Sequence, residues 1–471
     1  MEEKSAAEQL KERLFNQKKH GWDVASDDEK GQVYEYAKGY MDFLSRSKTE
    51  REIVKNSLEL AKEKGFKSID EYESLHTGDK VYYVNRGKNL FLLVVGNKSI
   101  EEGLNIIGAH ADSPRLDLKP NPLYEDHGFG YFKTHYYGGI KKYQWTTIPL
   151  AIHGVIAKKN GEVVEVCIGE KDEDPIFTIP DLLPHLAREQ MQAKASEVVP
   201  AENLNLLIGS LPYPDKKVSE RVKLNLMNLL NERYGITETD FLSAELEIVP
   251  AFKARSQGLD ESLIAGYGQD DKVSVYTTLT AILNCDNVER TAVSIFADKE
   301  EVGSMGNTGM ESNVFETFIA EVLNKLGVNR PNLLDKVLVN SRMLSADVDA
   351  GFDPIYANVS ELNNAAFLNK GLAVAKYTGS GGKYNGSDAN AEFVAKVRNM
   401  FEENGVSYQV SELGKTDVGG GGTIAYILAN KGVDVLDCGV PVLCMHSPYE
   451  ISSKYDVYHA TKGYEVFFKS I

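Results

Sequence analysis

Hydrophobic positions along the chain change period several times, and each change marks an element. Between Ser47 and Phe66, in SKTEREIVKNSLELAKEKGF, apolar residues recur at helical spacing and Gly65 stands just past the last turn, which predicts an amphipathic helix. Three β-rich runs follow, KVYYVN, NLFLLVV and LNIIGAH, separated by turn residues such as Arg86-Gly87 and Gly96-Asn97, and they read as successive strands. From Asp270 onward strand-like and helical patterns alternate. VSVYTTLTAILNC reads as helix, TAVSIFA as strand, NVFETFIAEVLNKLG as helix, RMLSA as strand and NAEFVAKVRNMFEENG as helix. Alternation of this kind predicts an α/β domain whose mixed sheet is flanked by helices.

Between Asp117 and Val249 the texture differs: aromatic and proline-bearing segments such as HYYGGIKKYQWTTIPLAIHGVI, the strand-like EVVEVCIG, then a helical stretch. The pattern predicts a mostly β second domain, 117–249, inserted into a discontinuous domain formed by 1–116 and 250–471. Two or three domains also suit 471 residues. No repeat or low-complexity segment interrupts them.

Charge narrows the function. The net charge of −17, from 52 basic and 69 acidic side chains, argues against a nucleic-acid partner, which needs a basic face to neutralise phosphates. The opening MEEKSAAEQLKERLF is charged from its second residue and predicts no secretory signal. No run approaches the roughly 18 apolar residues of a membrane span. Four cysteines without a C-x-x-C pair suit reduced thiols in a cytoplasmic protein and disfavour thiolate-held zinc.

In open α/β sheets ligands bind beyond the carboxyl ends of the strands, so polar residues that follow apolar runs are the candidates. LNIIGAHADSP delivers His110 and Asp112, TAVSIFADKEEVG delivers Glu300 and Glu301, RMLSADVD delivers Asp347 and VPVLCMHSP delivers His446. GYGQDDKVSVYTT sets Asp270 and Asp271 at a loop-to-helix junction. Histidines and carboxylates in this mixture suit zinc or a similar borderline metal, and the count suits two ions with a bridging carboxylate. In extended chain His110 and Asp112 point the same way, so Asp112 can accept the imidazole N–H turned away from the metal. Strand geometry would send one of Glu300 and Glu301 toward a metal and its neighbour toward the open side, where a water must lose its proton. Each piece has a plainer reading: a structural histidine, a solvated glutamate pair, an N-cap at Asp270-Asp271, an ordinary turn at Asp347. Their joint occurrence at strand and loop ends of one domain favours the metal site.

With these segments in order, the chain resembles the aspartyl aminopeptidases of bacterial type, cytosolic dizinc exopeptidases. The likeness runs through IIGAHADSPRLDLKP, ELEIVPAFKARSQGLDESLIAGYGQDDK, DKEEVGS and SADVD to GGTIAYILANKGVDVLDCGVPVLCMHSPYE. It implies that His110, Asp270, Glu301, Asp347 and His446 bind two divalent ions, zinc with manganese or cobalt as alternatives. Asp270 would bridge, Glu300 would be the general base and Asp112 the orienting carboxylate. It further implies a homo-oligomer, built from dimers and extending to a dodecamer, in which the inserted domain makes subunit contacts and roofs the site. His185, in IPDLLPHLAREQ, would reach a neighbouring subunit's active site, and Lys376, in LAVAKY, would lie near the substrate. Peptides would be the substrates, with a preference for an acidic first residue. The chain departs from the family at WTTIPL (Trp145 to Leu150), where WFDRDL is usual, and at Ala350 and Asp353, where histidines are usual; these departures bear on substrate choice. A related dimetal amidohydrolase, such as a carboxypeptidase or deacylase, and a catalytically idle assembly protein are the alternatives.

Two glycine-rich stretches complete the reading. DVGGGGTIA lacks the lysine of a phosphate-binding loop and is expected to lie close to the site or to make a turn, and GSGGKYNGS is expected to be a flexible surface loop with Lys383 solvated.

Overall fold

The computed structural model describes residues 4–16, 19–328 and 330–470. Its largest sheet has nine strands, and Asn105–His110 runs through the middle, parallel to Ala292–Ala297 on one side and to Arg342–Ser345 on the other. Asp434–Gly439 extends the parallel set, and Leu372–Ala375 and Asn89–Val94 pair antiparallel, so the sheet is mixed. The period-2 pattern decides what each face buries. Leu90, Leu92 and Val94 join one core with the helices Asp27–Arg46, Glu50–Glu63, Gln269–Leu283 and Lys454–Lys469. Phe91, Leu93 and Val95 join the opposite core with the helices Val314–Lys325 and Leu333–Val339. Helices on both faces explain why the central strands are apolar throughout rather than alternating.

The predicted elements can be followed one by one. The helix expected after Ser47 spans Glu50–Glu63 and starts with a capping box between Thr49 and Glu52. Arg86 and Gly87, at φ 53° and 69°, close the hairpin between Lys80–Asn85 and Asn89–Val94. HYYGGIKKYQWTTIPLAIHGVI is not continuous strand: it breaks at Tyr137 and resumes at Leu150 after a short turn, Lys142–Trp145, that buries the Trp145 ring.

A second, wholly antiparallel sheet of six strands draws all of them from Arg115 to Pro250, with the helix Arg221–Tyr234 beside it and a core of its own around Leu116, Phe132, Trp145 and Ile248. Charged groups join it to the larger sheet's helices. Lys48 Nζ lies 2.6 Å from Glu170 Oε1, and His153 lies 2.7 Å from Glu52 and 2.9 Å from Glu170. Arg115, itself buried, lies 3.5 Å from Glu50 and 3.3 Å from Glu247. Although burial opposes it, Arg115 and Lys88 hold Glu50 down at about 2, while burial pushes Glu247 well up. Among the described residues no helix is long and apolar enough to cross a membrane.

Removing one partner of a buried ion group leaves the others uncompensated, at a cost of about 3–5 kcal/mol. Arg115→Ala should therefore lower the thermal unfolding midpoint clearly relative to a surface substitution such as Arg330→Ala. Equal midpoints for the two variants in differential scanning calorimetry would contradict this role.

Candidate metal centre

Five chain segments converge beyond the carboxyl ends of the parallel strands. His110 ends the central strand, paired with Ala297 in register. The chain leaving Ala297 turns sharply at Lys299, φ 69°, so Glu300 and Glu301 begin a short 3-10 turn instead of continuing the strand. The strand geometry expected for this pair is therefore corrected: a turn, not a pleat, separates the two carboxylates. Asp112 pins that turn, since the Glu300 N–H donates to its Oδ1 at 3.1 Å and the Glu301 N–H to its Oδ2 at 3.2 Å. Hydrogen bonds to a charged acceptor are worth about 1.5–3 kcal/mol each, enough to fix the turn. The orienting role expected of Asp112 also changes in detail. His110 Nδ1 lies 3.0 Å from the Asp112 main-chain oxygen and 3.4 Å from its carboxylate, so the carbonyl is the nearer acceptor.

Asp270 lies between the two histidines. Its Oδ1 is 3.1 Å from His110 Nε2 and its Oδ2 is 3.0 Å from His446 Nε2. Asp347 Oδ1 is 3.7 Å from His110 Nε2, and Glu301 Oε1 is 3.6 Å from His446 Nε2. Two groups with metal-ligand spacing result, His110–Asp270–Asp347 and Asp270–Glu301–His446, sharing Asp270. Glu300 belongs to neither and lines the cavity beside them. Asp271 turns away: its Oδ2 accepts the His110 N–H at 3.2 Å. The Asp270-Asp271 peptide bond is cis.

The donor set fits divalent cations. Imidazole nitrogens and carboxylate oxygens suit zinc and its neighbours. Six carboxylates, Asp112, Asp270, Asp271, Glu300, Glu301 and Asp347, crowd two imidazoles. Burial, with Asp347, Asp270 and Asp112 adding to it, pushes Glu300 up to about 8. Burial and then Asp270 push Glu301 well above the usual carboxylate range. Among the described residues, Glu301 Oε1, in one of the two groups, is buried without a hydrogen-bond partner. A cation is what this oxygen lacks.

Several residues that hold the site were not singled out from sequence. Glu450 accepts the His446 N–H at 2.7 Å and the Asp270 N–H at 3.1 Å, and only its place four residues after His446 in HSPYE hints at this. Ser113 Oγ donates to the Asp270 carbonyl at 2.8 Å. Gly439 lets Asp347 approach: a Cβ there would stand 1.6 Å from the Asp347 carbonyl oxygen.

A cavity of about 550 Å³ opens over these groups. The glycine-rich stretches form part of its wall, Gly379–Ser380 pairing antiparallel with Gly420–Gly421. GSGGKYNGS is exposed over most of its length, as expected of a surface loop, and the Gly379–Ser380 pairing sets it against the cavity. Lys383 lines the cavity, 3.7 Å from the centre of the Tyr377 ring and 3.0 Å from Asp388 Oδ2. Lys376 does not line it; its Nζ lies 2.9 Å from Asp388 Oδ1. His185 is exposed and also stands apart from the cavity, between exposed Leu183 and Leu186. Asp353, where a family histidine was expected, caps the Ile355 N–H at 2.8 Å.

Residues 43–468 match the family model described as aminopeptidase I zinc metalloprotease (M18). The protein named "Probable M18 family aminopeptidase 1" in Clostridium acetobutylicum is 51% identical over 458 residues, covering 96% of this chain and 98% of its own length. The protein of the same name in Thermotoga maritima is 49% identical over 436 residues, 92% of this chain and 96% of its own. A crystal structure of an M18 aminopeptidase from Thermotoga maritima superposes with a TM-score of 0.94 at 46% identity, covering 97% of this chain and 100% of that one. A crystal structure of aminopeptidase I from Clostridium acetobutylicum gives 0.91 at 49%, with the same coverage.

The two aspartates separate experimentally. Asp270→Ala should lower bound metal to one ion or none per chain, whereas Asp271→Ala should lose less; elemental analysis of the dialysed proteins decides, and greater loss from Asp271→Ala would reverse the assignment.

Proposed function

The chain belongs to the M18 family of zinc aminopeptidases, hydrolases that release N-terminal residues from peptides, and on that premise we propose a two-ion site with a separate general base. His110, Asp270 and Asp347 would hold one ion, and Asp270, Glu301 and His446 the other. Asp270 carries this assignment, because each of its oxygens faces a different histidine. Bound there, the ions would supply Lewis acidity, lowering the pKa of water and stabilising charge on the attacked carbonyl oxygen. Glu300 takes the proton of the attacking water and returns it to the leaving amine nitrogen. Asp112 keeps Glu300 and Glu301 in their separate roles by holding both amides. A base beside a full ligand set argues against an idle structural site.

Residues 117–249 form the inserted unit that makes subunit contacts in a dimer-based homo-oligomer. Exposed apolar side chains near His185, among them Leu186 at 70% and Met191 at 77%, support this surface, with His185 serving a neighbour's site. The protein works in the cytoplasm, which its four free thiols suit. A preference for acidic first residues would come from Lys376 and Lys383, two cations sharing the single carboxylate of Asp388.

Glu300→Gln should keep its metal yet lose on the order of 10²-fold or more in kcat. Loss of metal instead would exchange the roles of Glu300 and Glu301. Co-assembling Glu300→Gln with His185→Ala subunits should restore activity through sites that draw one intact residue from each chain; mixed oligomers as inactive as their parents would place His185 outside the reaction. Lys376→Ala and Lys383→Ala should each lower kcat/KM on Asp and Glu substrates more than on a Leu substrate, and equal losses would remove the charge preference.

A further inference from the structure

The two candidate ion positions are not supported from the same part of the chain. His110, Asp270 and Asp347 are held without the six-stranded sheet: His110 Nδ1 faces the Asp112 carbonyl, Ser113 fixes Asp270, Gly439 admits Asp347, and Glu450, on the strand Glu450–Ser453 of a separate five-stranded sheet, holds both Asp270 and His446. The other position has a different neighbour. The strand Phe129–Tyr137 of the six-stranded sheet ends beside Glu301 and His446, and three consecutive residues there each touch the site.

Tyr137 donates its hydroxyl to Asp112 Oδ2 at 2.8 Å, on the carboxylate that pins the Glu300–Glu301 turn. The Arg115 guanidinium lies 3.9 Å from the centre of the Tyr137 ring and fixes it from behind. Gly138, at φ 73°, passes so close to Glu301 that a Cβ would stand 3.1 Å from Oε2 and 3.3 Å from the Glu301 Cβ. The Gly139 carbonyl lies 2.9 Å from His446 Nδ1, and a Cβ on Gly139 would come within 3.3 Å of that nitrogen. A carbonyl that accepts the Nδ1 proton leaves the Nε2 lone pair for a ligand and sets the ring's angle.

Taking the two-ion reading above as its basis, we infer that Gly138 and Gly139 form a clip by which the six-stranded sheet completes only the Asp270–Glu301–His446 position. The His110–Asp270–Asp347 position forms without it. These two are positioning residues: they set the angles of Glu301 and His446 and touch neither ion nor substrate. The occupancy of one ion site is thereby tied to the seating of the inserted sheet.

The test measures zinc per chain and the zinc affinity of each position, by elemental analysis and competition with a colorimetric chelator, on full-length protein. Outer partners of metal-bound groups typically change affinity by about 10–100-fold. Gly138→Ala and Gly139→Ala should weaken one zinc by that factor and leave the other at wild-type affinity. Gly128→Ala serves as the control: it has φ 81° in the same hairpin, a Cβ there meets nothing within 4 Å, and it should bind both ions normally. Should Gly138→Ala fail to fold, Gly139→Ala carries the test, because its backbone is outside the left-handed region. In an Asp347→Asn background Gly139→Ala should weaken the remaining zinc, and in a His446→Ala background it should not. Equal weakening of both ions, or of neither, in folded Gly139→Ala overturns the clip. A wild-type protein that binds a single zinc fails the two-ion reading instead, so the two failures are distinct.

Discussion

Six carboxylates crowded against two imidazoles at the end of a sheet repel one another, and that repulsion organises this part of the protein. Buried like charges at such spacing force protons onto some of the acids or demand a countercharge. The upward push on Glu300 and Glu301 is the first response, and the zinc of this metalloprotease family is the second. Everything around the cluster keeps it from relaxing. The parallel strands deliver His110, Glu300, Glu301 and Asp347 to one edge, and the cores on both faces fix those strands.

The anchors are themselves acids, used as acceptors of main-chain N–H groups. Asp112 holds the glutamate turn, and Glu450 holds Asp270 and His446 together. Such bonds let a ligand's backbone be fixed while its carboxylate or imidazole stays available. The six-stranded sheet enters the same network through Tyr137 and through the Arg115, Glu50 and Glu247 cluster. The seating of that sheet therefore bears on the site.

Much of this was legible in the sequence because the central strands are short apolar runs bounded by turn residues and the site residues follow those runs. Asn89–Val94, Asn105–His110 and Ala292–Ala297 stood out as strands for that reason, His110 as the end of one and Asp347 as a residue just beyond another. The Glu300–Glu301 turn did not, because a residue at φ 69° without a glycine, Lys299, leaves no mark in composition. Glu450 reaches Asp270 and Tyr137 reaches Asp112 across separations that no local pattern records. The glycine-rich stretches divide: DVGGGGTIA lies against the cavity as its glycines suggested, whereas the pairing of Gly379–Ser380 with Gly420–Gly421 exists only once the fold brings the two together. Lys376 followed a family likeness, and the lysines on the cavity wall are Lys383 and Lys415.

The central claim is that one carboxylate, Asp270, is shared by two ions. Crystals of the zinc-loaded protein, with anomalous scattering recorded on both sides of the zinc edge, test it directly. The account predicts two anomalous peaks separated by about 3.5–4 Å, with Asp270 between them, one peak beside His110 and Asp347 and the other beside Glu301 and His446. A single peak, or two peaks with Asp270 touching only one, would contradict it.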